Sequence, residues 1–314
     1  KVSDTAWLSR YSTQPLLLLA PALMDTTTWC HARVDMASSQ EVLLQNDGGE
    51  SSHSGNDGYY GGAAAHEDLE QANANANSWS FADVGRVGPR SRDGSIHATD
   101  EVFNAVSHLA AFMVSLLGGV LLVTGSSSRG EPWKIVSFSI YGLSLLFLFG
   151  SSTLHHAITG SERLELRLRI LDYAAIYPLI AGTFTPLCLV FYHKSTIGWS
   201  FCAVVWSLAI FGMVMTFTCF HKMPKWLSMT FYITLGWLGA LMTYWLLAVV
   251  GIGGMALFII GGLCYTIGGY IYTTEHPNPY PGIFGFHEIW HIAVILGAAF
   301  HWALMYFVVL PWEP

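Results

Sequence analysis

Charge is what this sequence has least of. Only 11% of its 314 residues are Asp, Glu, Lys or Arg, against 53% hydrophobic, where a soluble globular chain carries roughly 25% charged residues. With a mean hydropathy of +0.44, the deficit argues against an ordinary soluble enzyme and a disordered scaffold, and it points to a lipid-facing surface. Basic residues number only 14 and nowhere form a patch able to grip a phosphate backbone, so nucleic acid is not an expected partner. The five cysteines (Cys30, Cys188, Cys202, Cys219, Cys264) are odd in number and lack CxxC spacing. That excludes a disulfide framework and a cysteine zinc site as readings.

What charge there is lies mostly at the front. Residues 1–100 hold thirteen acidic side chains against six basic ones, whereas residues 101–314 hold eight of each. The first hundred residues are rich in Ser, Gly, Asn and Asp, include the run QANANANSW and show no sustained period. They are expected to form a poorly ordered tail that carries no chemistry. Pro15 to Met24 is apolar but shorter than the roughly 20 residues that span a bilayer. It is read either as part of a targeting segment or as unstructured chain.

From Glu101 the pattern changes. Seven apolar segments follow, at 103–124, 135–158, 170–192, 196–218, 227–250, 252–273 and 287–310, each near the length needed to cross lipid. Runs this continuous are helical, because only helices and closed barrels satisfy their backbone inside a bilayer and barrel strands alternate. The expected fold is an all-α membrane protein, a seven-transmembrane helix bundle over residues 101–314. Arg86, Arg90, Arg92, Arg163, Arg167, Arg169, Lys222 and Lys225 fall on the N-terminal side, and only Arg129, Lys134 and Lys194 on the other. The positive-inside rule then places the N-terminus in the cytoplasm and the C-terminus on the opposite side.

Ionisable groups inside a membrane are costly, and the few present are candidates for function. His156 ends the second segment. Asp172, the only aspartate after Asp100, opens the third. His287 and His291 open the seventh, four residues apart and so on one helix face. In the expected topology all four fall at the cytoplasmic end. Three imidazoles and an oxygen donor suit zinc with one position open, and zinc lowers the pKa of a bound water to about 7. Asp172 could take a proton, and Ser152, one turn before His156, could polarise a substrate carbonyl. Glu101, Asn104 and His108 share one face at the start of the first segment, either to orient the ligands or as a polar helix start. For Asp172 the competing role is a helix N-cap. His155 is expected to face a loop or headgroups, and His301, about 15 Å further along its helix than His291, to be a packed or hydrogen-bonded histidine. HEIWH also fits the HExxH pattern of zinc proteases, but that reading lacks a downstream third ligand, and Glu288 is expected to point to neighbours or headgroups. The pairs Gly118–Gly119, Gly261–Gly262 and Gly268–Gly269 read as close packing points between helices.

These residues resemble the hemolysin III family, within the progestin and adiponectin receptor superfamily. The likeness rests on Glu101-x-x-Asn104-x-x-x-His108, Ser152-x-x-x-His156, LDYAAIYPLIAGTFTP around Asp172, and GFHEIWHIAVILGAAFHW with His287 and His291. It spans residues 101–314, with no counterpart for residues 1–100. The resemblance implies a seven-helix bundle, a cytosolic N-terminus and a zinc ion held near the cytoplasmic face by His156, His287 and His291, with Asp172 holding its water and Ser152 beside it. It departs from the pattern at His155, where an aromatic residue is frequent, and at Tyr173, where His is frequent. It implies a ceramidase-like hydrolase of a lipid amide or ester. The alternatives are a receptor or regulator with structural zinc, or a pore former, which polar residues gathered at one end disfavour.

Overall fold

The computed structural model describes residues 91–95 and 97–313. The Pro15–Met24 segment and the QANANANSW run lie outside the described residues. Among those described, the chain is helical throughout, with no strand and one isolated bridge, Tyr280 to Phe284.

The helices are α1 (Glu101–Ser127), α2 (Pro132–Ala157), α3 (Glu162–Tyr192), α4 (Thr196–Cys219), α5 (Lys225–Trp237), α6 (Thr243–Thr274) and α7 (Phe286–Leu304). Short polar connections start them by conventional chemistry. Asp100, Ser161 and Ser195 accept the backbone N–H groups of Phe103, Leu164 and Ile197 at the starts of α1, α3 and α4, while Pro132 occupies the first turn of α2, where its missing N–H costs nothing. Glu288 caps α7 from inside, its Oε2 accepting the Gly285 N–H at 2.7 Å.

Six stretches are long and apolar enough to cross a membrane: Glu101–Ser127, Pro132–Ala157, Glu162–Tyr192, Thr196–Lys222, Lys225–Thr274 and Phe286–Val309. The segments expected at 227–250 and 252–273 run on as one 50-residue stretch, and the short 3-10 turn between α5 and α6, Leu238–Met242, falls inside the first of them. The stretch breaks at the residue between the two segments, Gly251, whose φ of 65° and ψ of −178° no helix contains.

Burial follows the packing order. α1 packs on α2, α2 on α3, α3 on α4 and α6 on α7, and α7 returns to α1. α3 is central, with 78% of its apolar window buried against 22% for α1. Tyr141, Phe138, Phe149, Leu122, Phe286 and Leu304 fill the core. Val106, Val114 and Leu117 of α1 and Phe211 of α4 remain exposed on the outside, as lipid contact requires and water would penalise. The chain is an integral, multi-pass membrane protein. The glycine pairs sit at close approaches: Gly118 lies against Trp302, Gly261 against His301 and Gly268 against Ala293.

Candidate metal centre

The starts of α1, α3, α5 and α7, the ends of α2 and α6 and the residues just before α1 meet at one end of the bundle. Arg92 fixes the leading segment there. Its guanidinium donates to the His155 and Ile158 carbonyls at 3.0 and 2.8 Å and to the Thr159 hydroxyl at 2.6 Å, so a cation caps the last turn of α2. Arg169 of α3 donates in turn to the Arg92 carbonyl at 3.1 Å. On the far side Ser95 donates to Glu275 Oε2 at 2.7 Å, and Lys225 pairs with Glu275 Oε1 at 2.9 Å.

Into this end the helices bring the candidate site residues Glu101, Asn104, His108, Ser152, His156, Asp172, His287 and His291. Ligand atoms of His156, His287 and His291 lie within 4.8 Å of one another, and all three residues are buried. His287 and His291, one turn apart on α7, place their Nε2 atoms 3.1 Å apart. His156 Nδ1 bonds Glu101 Oε2 at 2.6 Å, while its Nε2 is buried and without a partner. A carboxylate on one ring nitrogen holds the proton there and turns the other nitrogen's lone pair toward a metal. Tetrahedral zinc with Zn–N bonds of about 2.0–2.1 Å sets neighbouring nitrogens about 3.3–3.4 Å apart, close to the spacing on α7. The three imidazoles therefore fit such an ion. Asp172 forms a second such group with His155 and His156. Together with Ser152, His108, His287 and His291 it lines a cavity of about 630 Å³, open mouth included. The His108 ring stacks on His291 at 3.8 Å between centroids. Asn104 is joined to the centre through Glu288, to whose Oε1 it donates at 3.2 Å.

Two expectations need correction. His155 does not face a loop or headgroups: it is 1% exposed, because the leading segment folds over the end of α2 and covers its second side. Its Nε2 meets Asp93 Oδ1 at 2.9 Å, and its ring centroid stands 4.6 Å from that of His156. Asp93 itself belongs to the stretch read as a tail without chemistry, yet its buried carboxylate sits among the histidines. Tyr272 donates to its Oδ2 at 2.8 Å, and His287 Nδ1 stands 3.2 Å from the same oxygen, within ion-pair reach but outside hydrogen-bond geometry. Burial alone would push the Asp93 carboxyl up; His287, then His155 and His156, outweigh it and hold the carboxyl well below its ordinary range. Tyr173, the other departure from the family pattern, bonds Tyr272 through its hydroxyl and so belongs to the same network.

His301 is packed as expected, its Nε2 bonded to the Phe258 carbonyl at 3.1 Å. Glu288 does point to neighbours. It is fully buried and accepts from Asp100 N, Asn104 Nδ2 and Gly285 N. A carboxylate so engaged in joining the start of α1 to α7 is not placed as a protease base.

Comparison with known proteins agrees with this constellation. The chain is 37% identical over 214 residues, 68% of its length, to a hemolysin-3 homolog of Bacillus subtilis, covering 96% of that protein. It is 32% identical over 212 residues to hemolysin-3 of Bacillus cereus, covering 68% of this chain and 93% of that one. It is 26% identical over 206 residues to the human monocyte to macrophage differentiation factor, covering 63% and 80%. The sequence model described as "Haemolysin-III related" matches residues 96–302, and with the buried histidines and Asp172 inside that stretch and every apolar helix beginning in it, the chain belongs to the hemolysin III family within the progestin and adiponectin receptor superfamily.

Proposed function

We propose that this chain crosses the membrane seven times with its N-terminus in the cytoplasm, holds zinc through His156, His287 and His291, and hydrolyses an amide or ester bond of a membrane lipid. The observation that carries the reading is the convergence of three buried imidazoles beside a cavity lined by Asp172 and Ser152. Support for seven crossings comes from the 50-residue stretch. At about 1.5 Å per residue it would run about 75 Å, far beyond a hydrocarbon core of about 30 Å, and it breaks at Gly251. Arg92, Arg169 and Lys225 at the histidine end support a cytoplasmic face there.

Zinc, when bound, supplies a Lewis acid that acidifies water at neutral pH. The chain's own groups do the rest. Leu148, Ile176, Leu179 and Val294 form the apolar wall of the cavity and suit an acyl chain. Ser152 donates a hydrogen bond to the substrate carbonyl. Asp172 takes a proton from the attacking water as the new C–O bond forms, then returns it to the amine or alkoxide as the C–N or C–O bond breaks. A ceramide-like lipid amide matches this combination of an apolar slot and a polar hydrolytic end.

The same cluster ties α2, α3, α7 and the leading segment together, which favours, as a second reading, a receptor or regulator with structural zinc. Asp172→Asn separates the two. The hydrolase reading expects zinc content unchanged and turnover of a ceramide-like amide reduced at least about 100-fold, the usual worth of a proton-transfer group. Equal turnover in the variant refutes it.

A further inference from the structure

Besides Asp172, two carboxylates reach the histidines, and only one of these two stands inside the stretch matched to the family. Glu101, on α1, holds His156 Nδ1. Asp93 lies three residues ahead of the matched residues 96–302. We infer that Asp93 is a positioning residue for the metal centre, its carboxylate orienting His287 and His155 and so setting how tightly the cluster holds a metal ion. The inference rests on the metal-binding reading above.

The geometry gives each oxygen of Asp93 a task. Oδ1 accepts from His155 Nε2 at 2.9 Å. Oδ2 accepts from the Tyr272 hydroxyl at 2.8 Å and faces His287 Nδ1 at 3.2 Å. An anion on that side keeps the His287 proton on Nδ1, leaving the Nε2 lone pair on the side where His291 Nε2 also points. His287 on α7 thus has an anion behind the ligand at ion-pair reach, where His156 on α2 has Glu101 in a hydrogen bond. The backbone beneath Asp93 is held for this. Arg92 is clamped to the end of α2, the Asp93 N–H donates to Ser91 Oγ at 3.2 Å, and the chain turns away at Gly94 with φ 74°, a conformation a side chain would strain. The carboxylate is 4% exposed, so bulk water screens it little.

The test is metal affinity in the purified full-length chain, by chelator competition with zinc and by the visible absorption of the cobalt-substituted protein. Asp93→Asn is expected to weaken zinc about 10- to 100-fold, the usual consequence of losing a carboxylate behind a ligating histidine, and to shift the cobalt spectrum. A residue that merely stapled the segment would change melting temperature but neither affinity nor spectrum, and that result overturns the inference. Should Asp93→Asn fail to fold, Tyr272→Phe keeps the carboxylate and frees its Oδ2; a several-fold loss in the same assay supports the inference, and unchanged affinity overturns it. A wild-type chain that folds but takes up no metal refutes the metal reading itself, an outcome distinct from wild-type and Asp93→Asn binding equally well.

Discussion

The two ends of the bundle both bury ionisable side chains, and they treat them in opposite ways. At the end remote from the histidines, Lys134 is 3% exposed, and its ammonium finds three partners: Glu131 Oε1 at 2.6 Å, the Leu310 carbonyl at 2.9 Å and the Trp312 carbonyl at 2.5 Å. Arg129 adds a bond to the Leu310 carbonyl at 3.2 Å. Every donor there serves the chain's own backbone, and the arrangement reads as a cation closing the last turn of a helix. At the histidine end, His156 Nε2, His291 Nδ1 and both nitrogens of His108 are buried without partners, although an unpaired buried polar atom costs about 1–3 kcal/mol. Single unpartnered atoms occur elsewhere too, Glu131 Oε2 among them, but only at the histidine end do several gather around one group of possible metal ligands, which supports the proposed metal site there.

Breaking the comparison at the histidine end gives the largest effect. His291→Ala removes one of three converging nitrogens, so zinc per purified chain is expected to fall from about one to near zero, measured by elemental analysis, with the helical content kept. Lys134→Met strikes the other end. It leaves the Glu131 carboxylate and the Trp312 carbonyl without their donor and the Leu310 carbonyl to Arg129 alone, and a loss of about 2–3 kcal/mol in detergent is expected, with zinc content unchanged. If the Lys134 variant loses zinc as readily as the histidine variant, the division of labour between the ends is wrong. The smallest effect is a pH dependence at Glu275, which lies beyond the last turn of α6. Partial burial would raise its carboxyl, but Ser95 and Lys225 hold it, and the net direction is downward. A depressed carboxyl stabilises the fold above its unfolded value of about 4.3 and loses that contribution as pH falls through the lower folded value. The gap in melting temperature between wild type and Glu275→Gln is therefore expected near neutrality and should close below about pH 4. A gap that persists at low pH would assign the contact no electrostatic part.

The apolar helical pattern was largely legible because lipid enforces it residue by residue: the runs fall on helices, except that the one at 227–250 straddles the turn between α5 and α6. Even the break at Gly251 falls between two segments read separately. His287 and His291 were legible through their spacing, and His156 and Asp172 through the expense of polar groups in apolar runs. Asp93 carried no such signal. In SRDGS it looks like any turn in a Ser- and Gly-rich stretch, and only the clamp of Arg92 on α2, a contact across 63 residues, brings it inward. His155 was misread for a related reason. Adjacent residues on a helix point about 100° apart, so a histidine next to His156 belongs on another face, and the cover over that face comes from chain that helix periodicity does not describe.

The clamp at Arg92 also bears on where this protein can be cut. The stretch matched to the family begins at residue 96, and a chain shortened to that boundary would keep α1 to α7 while discarding the guanidinium that closes α2 and the carboxylate behind His287. The matched stretch leaves out Arg92 and Asp93, and both touch the centre. Trimming for crystals, fusing a reporter or exchanging front segments between relatives should therefore keep these two residues.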